Sequence, residues 1–192
     1  LTTALFRAET VKTGWAGVLV NAASSGTVDA HTLTAHESGT ATGTLSDEDR
    51  EWFTARGPGE LIDQIRVPTL LVQGTVDTLF TPDEAILNYE VLAGNDVPLK
   101  MLWFCGGHGV CLTDPGDEAR MQTAIINWLD RYVKDDESVD TGATFDFLDQ
   151  DGNRYTADDF PLASGEPITA TGSGTLTLTA DGGAGPIAPL EG

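Results

Sequence analysis

The chain has 192 residues, 40% of them hydrophobic and 21% charged, enough for one mid-sized globular domain and unlike a disordered segment. Its formal net charge of −20 disfavours nucleic acid and anionic membrane as partners, since both would be repelled. No apolar run approaches the ~20 residues of a membrane-spanning helix. The opening LTTALFRAETVKTGW lacks both the unbroken apolar core of a signal peptide and an initiator Met, so the chain is expected to be part of a longer polypeptide.

Charge is distributed unevenly. From Asp135 onward there are 12 acidic residues and one basic residue, Arg154, and all four Trp lie before that point, so a boundary is expected near Lys134. Four segments follow: 1–45, 46–134, an acidic linker over 135–142, and 143–192.

Within the first, WAGVLVNAASSG is a short apolar run, helix or strand, ending in small residues. DAHTLTAHESGTATGTLS, rich in Thr, Gly and Ser, reads as loops and short helices. His31 and His36 are five apart, not at the four-residue spacing that sets two His on one helical face for zinc, and no metal or cofactor is expected.

Ser46 opens a helix, SDEDREWFTAR, with Ser46 as cap, acidic residues in the first turn and Arg56 at the end. GELIDQIR is expected to be a short amphipathic helix. After Pro68, TLLVQG is an apolar run of strand length, suited to a parallel strand buried on both faces. It runs into TVDTLF, a loop carrying Asp77. Thr81, Pro82 and Glu84 mark the start of a helix that should bury Ile86, Leu87, Tyr89 and Val91 and end at Gly94 and Asn95. A second strand, LKMLWF, leads into CGGHGV, which carries His108. The last helix of this segment spans about Asp117 to Lys134, with an apolar stripe of Met121, Ile125, Trp128, Leu129 and Tyr132.

Strand, helix, strand, helix with short connections predicts an α/β fold, the end of a doubly wound parallel sheet. Functional loops in such sheets lie at the carboxyl ends of strands, where both Asp77 and His108 fall. Beyond the linker, TFDFLDQDGNRYTADDF predicts a hairpin turning at Asp151-Gly152, and PITATGSGTLTLTA a further Thr-rich strand. Asp149, Asp151 and Asn153 alternate like the start of a calcium loop, but Arg154 stands at the sixth position and Phe160 where the bidentate Glu belongs, so a hairpin turn is preferred. These strands are expected to begin an incomplete β-sandwich or to pack on the preceding part.

A hydroxyl nucleophile needs a base within hydrogen-bond reach, and the base needs a third group to fix its tautomer. His108 among glycines suits the base and Asp77 the orienting carboxylate. Their order and the 31-residue gap match Asp-then-His at consecutive β-units. Cys105 and Cys111 bracket His108 as CGGHGVC and could close a small disulfide ring, implying an oxidising, secreted or extracytoplasmic setting; two reduced thiols are the alternative.

The segment IRVPTLLVQGTVDTLFTPDEA with MLWFCGGHGVCL resembles the C-terminal half of an α/β-hydrolase, most closely the S15 peptidase group of X-Pro dipeptidyl-peptidases and cocaine-esterase-like acyl hydrolases. The resemblance covers roughly residues 46–134. It implies an acyl-serine mechanism on peptide or ester substrates with Asp77 and His108 as triad acid and base. It also implies that residues 1–45 are part of a helical cap, and that a β-sandwich follows the core. The chain departs from the pattern in lacking a GxSxG elbow: Ser24 and Ser25 in NAASSG and Ser173 in TGSGT do not match. The nucleophile is therefore expected outside this chain, in a missing N-terminal part that would be its partner, with the chain alone inactive. A non-catalytic binding or assembly unit on a hydrolase-like scaffold is the alternative, and a metal hydrolase using Asp77, His108 and another carboxylate a weaker third.

Overall fold

A computed structural model describes residues 10–23, 26, 28–117, 119–169 and 171–174. Three helices come first: α1 (Thr10–Ala23), α2 (Ala30–Thr42) and α3 (Asp47–Thr54). A 3-10 turn over Gly59–Gln64 leads to β1 (Thr69–Gly74), then α4 (Pro82–Ala93), β2 (Leu99–Phe104), α5 (Ala119–Tyr132), β3 (Phe145–Leu148) and β4 (Arg154–Ala157).

The Thr- and Gly-rich stretch, expected as loops and short helices, holds one continuous 13-residue helix, α2. Its hydroxyls are absorbed by the helix itself. Thr34 Oγ1 donates to Ala30 O and Thr42 Oγ1 to Ser38 O, one turn back. The Asp29 carboxylate caps the start through the His31 N–H at 2.8 Å, and Gly43 at φ 71° ends it in the left-handed conformation. Ala16 of α1, Ala35 of α2, Leu45 and Phe53 of α3 form a small core, with Trp52 packed against it. Ser46 caps α3 by accepting from Asp49 N at 3.1 Å, and Arg56 closes the far end by donating to Trp52 O while lying 3.5 Å from the Trp52 ring centre. GELIDQ is a 3-10 turn with no buried residue, and Leu61 is exposed, so the amphipathic helix expected there does not form. The six residues Gly59–Gln64 give about two 3-10 turns, too short for an extended apolar face, and only Ile62 and Ile65 are half-buried.

The sheet is four-stranded, in the order β1-β2-β3-β4. β1 and β2 are parallel over their whole length, from Thr69 opposite Leu99 to Gly74 opposite Phe104. β3 adds parallel to β2, with Met101 opposite Phe145, and β4 turns back antiparallel to β3. The hairpin turn is held by Asp149, whose Oδ1 accepts from the N–H groups of Asp151 and Asn153. Of the two expectations for this hairpin, the start of an incomplete sandwich or packing on the preceding part, the pairing of β3 with β2 matches the second: the hairpin continues the same sheet. The physical reason lies in the alternation of β3. Phe145 and Phe147 join Met101 and Trp103 on one face, while Asp146 meets arginine on the other, so a strand that reads as half-polar is covered on both sides. Half of the expected strand over 167–180 falls outside the described residues, and the described half carries no strand.

Strand alternation sends Met101 and Leu102 to opposite faces, and both are fully buried. On the Met101 face lies α4, through Ala85 and Tyr89, together with Phe145 and Phe160. α4 buries Ala85, Tyr89 and Leu92, spaced by four and three, whereas Leu87 and Val91, expected inside, are exposed. Thr81 is its N-cap residue and Pro82 its first helical residue, yet the Thr81 hydroxyl makes no cap bond. On the opposite face lies α5, whose Arg120 reaches Asp146. Of its apolar stripe Trp128 is buried, while Leu129 remains exposed. The result is a mixed α/β unit with helices on both faces of a mixed sheet. Among the described residues no helix is long and apolar enough to cross a membrane.

Candidate functional site

β1 and β2 run in the same direction and end side by side, Gly74 opposite Phe104. Each then releases the chain into a loop at its carboxyl end. Thr75 N donates to Phe104 O at 2.8 Å, so the two loops start joined. Gln73 stands at the end of β1 and is buried; its Nε2 donates to Phe80 O at 2.6 Å and fixes the far side of the first loop.

Asp77 is 9% exposed. Its Oδ1 accepts from Leu79 N at 2.9 Å and Phe80 N at 2.7 Å, an Asx-type turn that aims the carboxylate. Its Oδ2 lies 2.8 Å from His108 Nδ1. Burial by itself would raise the Asp77 pKa. The hydrogen bonds from His108, Phe80 and Leu79 more than offset it and hold the carboxyl below its ordinary range. An ionised Asp77 fixes the imidazole with Nδ1 as the protonated nitrogen, which leaves Nε2 as the basic one. The His108 side chain is 43% exposed, and among the described residues Asp77 is the only hydrogen-bond partner of its ring.

The approach of the two loops depends on glycine. Gly107 has φ +111°, and a Cβ there would stand 2.6 Å from Asp77 Cβ; at Gly109 it would stand 1.9 Å from Val76 O. Both positions therefore exclude a side chain, one by its backbone conformation and both by contact. Cys105 and Cys111 are bonded to each other, closing a ring around His108 with their Cα atoms 5.4 Å apart.

Three further residues complete the surroundings, and sequence reasoning missed all of them. Trp15 of α1 donates its Nε1–H to Thr78 Oγ1 at 2.9 Å, and Thr78 Oγ1 donates to the His108 carbonyl at 3.1 Å. The Trp15 ring also meets the imidazole edge-on, with centroids 5.5 Å apart, and the Phe80 ring lies 5.4 Å from it. Thr78 and Phe80 both follow Asp77 within TVDTLF, which is the only local signal. Nothing local connects Trp15 to a loop 63 residues away.

The other candidates lie elsewhere. His31 stacks on Trp52 and faces Asp49 in the helical region. Asp149, Asp151 and Asn153 are spent on their hairpin turn. Ser173 is exposed and outside regular structure, and Ser24 and Ser25 lie outside the described residues. Among the described residues no group of His, Cys, Asp and Glu is arranged to hold a metal ion.

An imidazole held by a buried carboxylate through one nitrogen, with the other unengaged, can accept a proton from a hydroxyl or water and return it. No protein-family model matches this chain, and no curated protein matches it.

Proposed function

We propose that Asp77 and His108 are the acid and base of an acyl-transfer site completed by a serine on another stretch of polypeptide. The reading makes the chain part of a serine hydrolase acting on ester bonds or on Xaa-Pro peptide bonds. The observation that carries it is the 2.8 Å contact between His108 Nδ1 and Asp77 Oδ2 at the carboxyl ends of two adjacent parallel strands.

In this mechanism His108 Nε2 takes the serine proton as the oxygen attacks the acyl carbon, and the buried Asp77 carboxylate stabilises the imidazolium that results. His108 then delivers that proton to the leaving alcohol or amine. A water molecule repeats the sequence to release the acid. Trp15 and Phe80 pack beside the imidazole and would keep water from its faces. The disulfide around His108 supports an oxidising, secreted or extracytoplasmic setting.

A non-catalytic role as a binding or assembly unit remains the competing reading. It is favoured by one observation: among the described residues no hydroxyl is bonded to the His108 ring. The two separate in one experiment. The chain is joined to its preceding polypeptide and assayed with nitrophenyl esters and Xaa-Pro anilides. Turnover that disappears in His108→Ala supports the hydrolase. No turnover of any ester or anilide, in a protein that is folded, supports the binding unit.

A further inference from the structure

On the face of the sheet away from α4, a cavity of about 290 Å³ lies between α5, β2, β3 and the 140–142 segment. It is lined by Lys100 and Arg120, which are 3% and 7% exposed, by Asp146, which is 1% exposed, and by Arg154 at its edge. The chain has only ten Lys and Arg in all, and three of them converge here against a strongly acidic background. Neither Asp77 nor His108 takes part in it.

Over the whole lining three cations face three carboxylates, but the buried charges alone do not balance: Lys100 and Arg120 face Asp146, while Arg154, Asp117 and Asp140 stand at the exposed rim. Asp146 is fully engaged: Oδ1 accepts from Arg120 Nη1 and Arg154 Nε, and Oδ2 from Arg154 Nη2 at 2.8 Å. Arg120 spends a second donor, Nη2, on Trp103 O at 2.6 Å. Lys100 has no such carboxylate. Among the described residues its ammonium donates to one acceptor, Ala143 O, and no carboxylate stands within ion-pair distance. An ammonium carries three donors, and a buried charge without a counter-charge is costly, so such groups are normally paired. The cavity borders this under-paired cation.

We propose that this cavity binds a small carboxylate, with Lys100 as its principal partner. A single negative charge balances the buried excess of Lys100 and Arg120 over Asp146. A dianion is less suited, because Asp117 and Asp140 also line the cavity. Both acids are exposed at the rim, where water screens their charge, and each also accepts a local backbone bond, Asp117 Oδ1 from Ala119 N and Asp140 Oδ1 from Gly142 N. Asn127 and the hydroxyls of Thr123 and Thr141 supply neutral hydrogen-bonding walls. Burial also weakens the hold of Lys100 on its proton, and a bound carboxylate would restore it.

The test is a titration of the 192-residue chain with acetate, followed by backbone amide NMR, with chloride at equal ionic strength as control and phosphate as competitor class. Saturable shifts at Thr141, Gly142 and Thr144 with acetate, absent with chloride, are expected. Two variants localise the effect. Lys100→Met removes the charge and keeps the stem, and Ala124→Leu fills the cavity from α5 without touching a charge. Each is expected to weaken acetate binding about tenfold or more, the equivalent of one charge-assisted hydrogen bond. Equal shifts with chloride, phosphate binding in preference to acetate, or acetate shifts unchanged in Ala124→Leu would each overturn the proposal, whether or not Lys100→Met folds.

Discussion

Two histidine–carboxylate pairs among the described residues have nearly equal lengths but different surroundings. His108 meets Asp77 at 2.8 Å and His31 meets Asp49 at 2.9 Å. Both carboxyls are held below their ordinary range. For Asp49 the main cause is the Ser46 hydroxyl, 2.6 Å from Oδ2; for Asp77 the bonds from His108 and two backbone N–H groups override burial. The rings differ in what is left over. His31 presents its Nε2 to Asp49, and that atom is buried without a well-aligned hydrogen bond. Its face lies on Trp52, centroids 4.5 Å apart and nearly parallel, so it staples α2 to α3. His108 presents Nδ1 instead, and among the described residues its Nε2 has no hydrogen-bond partner. A His–Asp distance alone therefore says little. The nitrogen used, the exposure of the ring and its place at a strand end separate the helix staple from the residue proposed as a base.

Substitutions can break that contrast or sharpen it. On the proposed hydrolase reading, the largest effect is expected from His108→Ala in the completed protein, which should lower kcat by on the order of 10⁴-fold or more. His31→Ala should leave kcat nearly unchanged while lowering the thermal midpoint. Ester-hydrolysis kinetics beside thermal melts separate the two.

Gly107→Ala comes next. It forces a side chain onto a backbone at φ +111° and into Asp77, so urea unfolding should show a loss of about 1–3 kcal/mol. The His108 ring resonances should move and those of His31 should not. Replacing Cys105 and Cys111 together by Ser opens a short ring and should cost about 2 kcal/mol on the loop-entropy model, again with a response confined to His108.

The smallest effect is in acid. Asp77 has a folded pKa below its ordinary value of 3.8, so its contribution to stability is present above that value and is lost as pH falls through the folded one. Asp77→Asn should remove this part of the acid slope in urea midpoints measured below about pH 4. Asp49→Asn should remove a separate part of the same sign, since Asp49 is lowered too.

Legibility from the sequence followed the range of the interactions. β1, β2 and α4 could be read because apolar runs, Pro68, Pro82 and Gly94 mark them locally. Asp77 and His108 stood out as single polar groups in loops at the ends of two such strands. α2 was hidden because its Thr and Ser normally compete with a helix, and only the observed back-bonds to Ala30 and Ser38 remove that conflict. The hairpin itself was legible, but the sequence leaves open whether it begins a sandwich or joins the preceding sheet, because Asp146 reads as a solvent position. Its burial depends on Arg120, 26 residues earlier, and on Arg154 across the turn. The contact of Trp15 with Thr78 spans 63 residues and leaves no periodic trace.

Fluorophosphonate labelling of the completed protein tests the central claim most directly, because it reports the activated serine without requiring a known substrate. Rapid labelling is predicted for the unaltered protein and for His31→Gln, and labelling slower by about 10⁴-fold for Asp77→Asn, as expected when the imidazole loses its orienting carboxylate. Labelling at the unaltered rate in both Asp77→Asn and His108→Ala would contradict the assignment of these residues as acid and base.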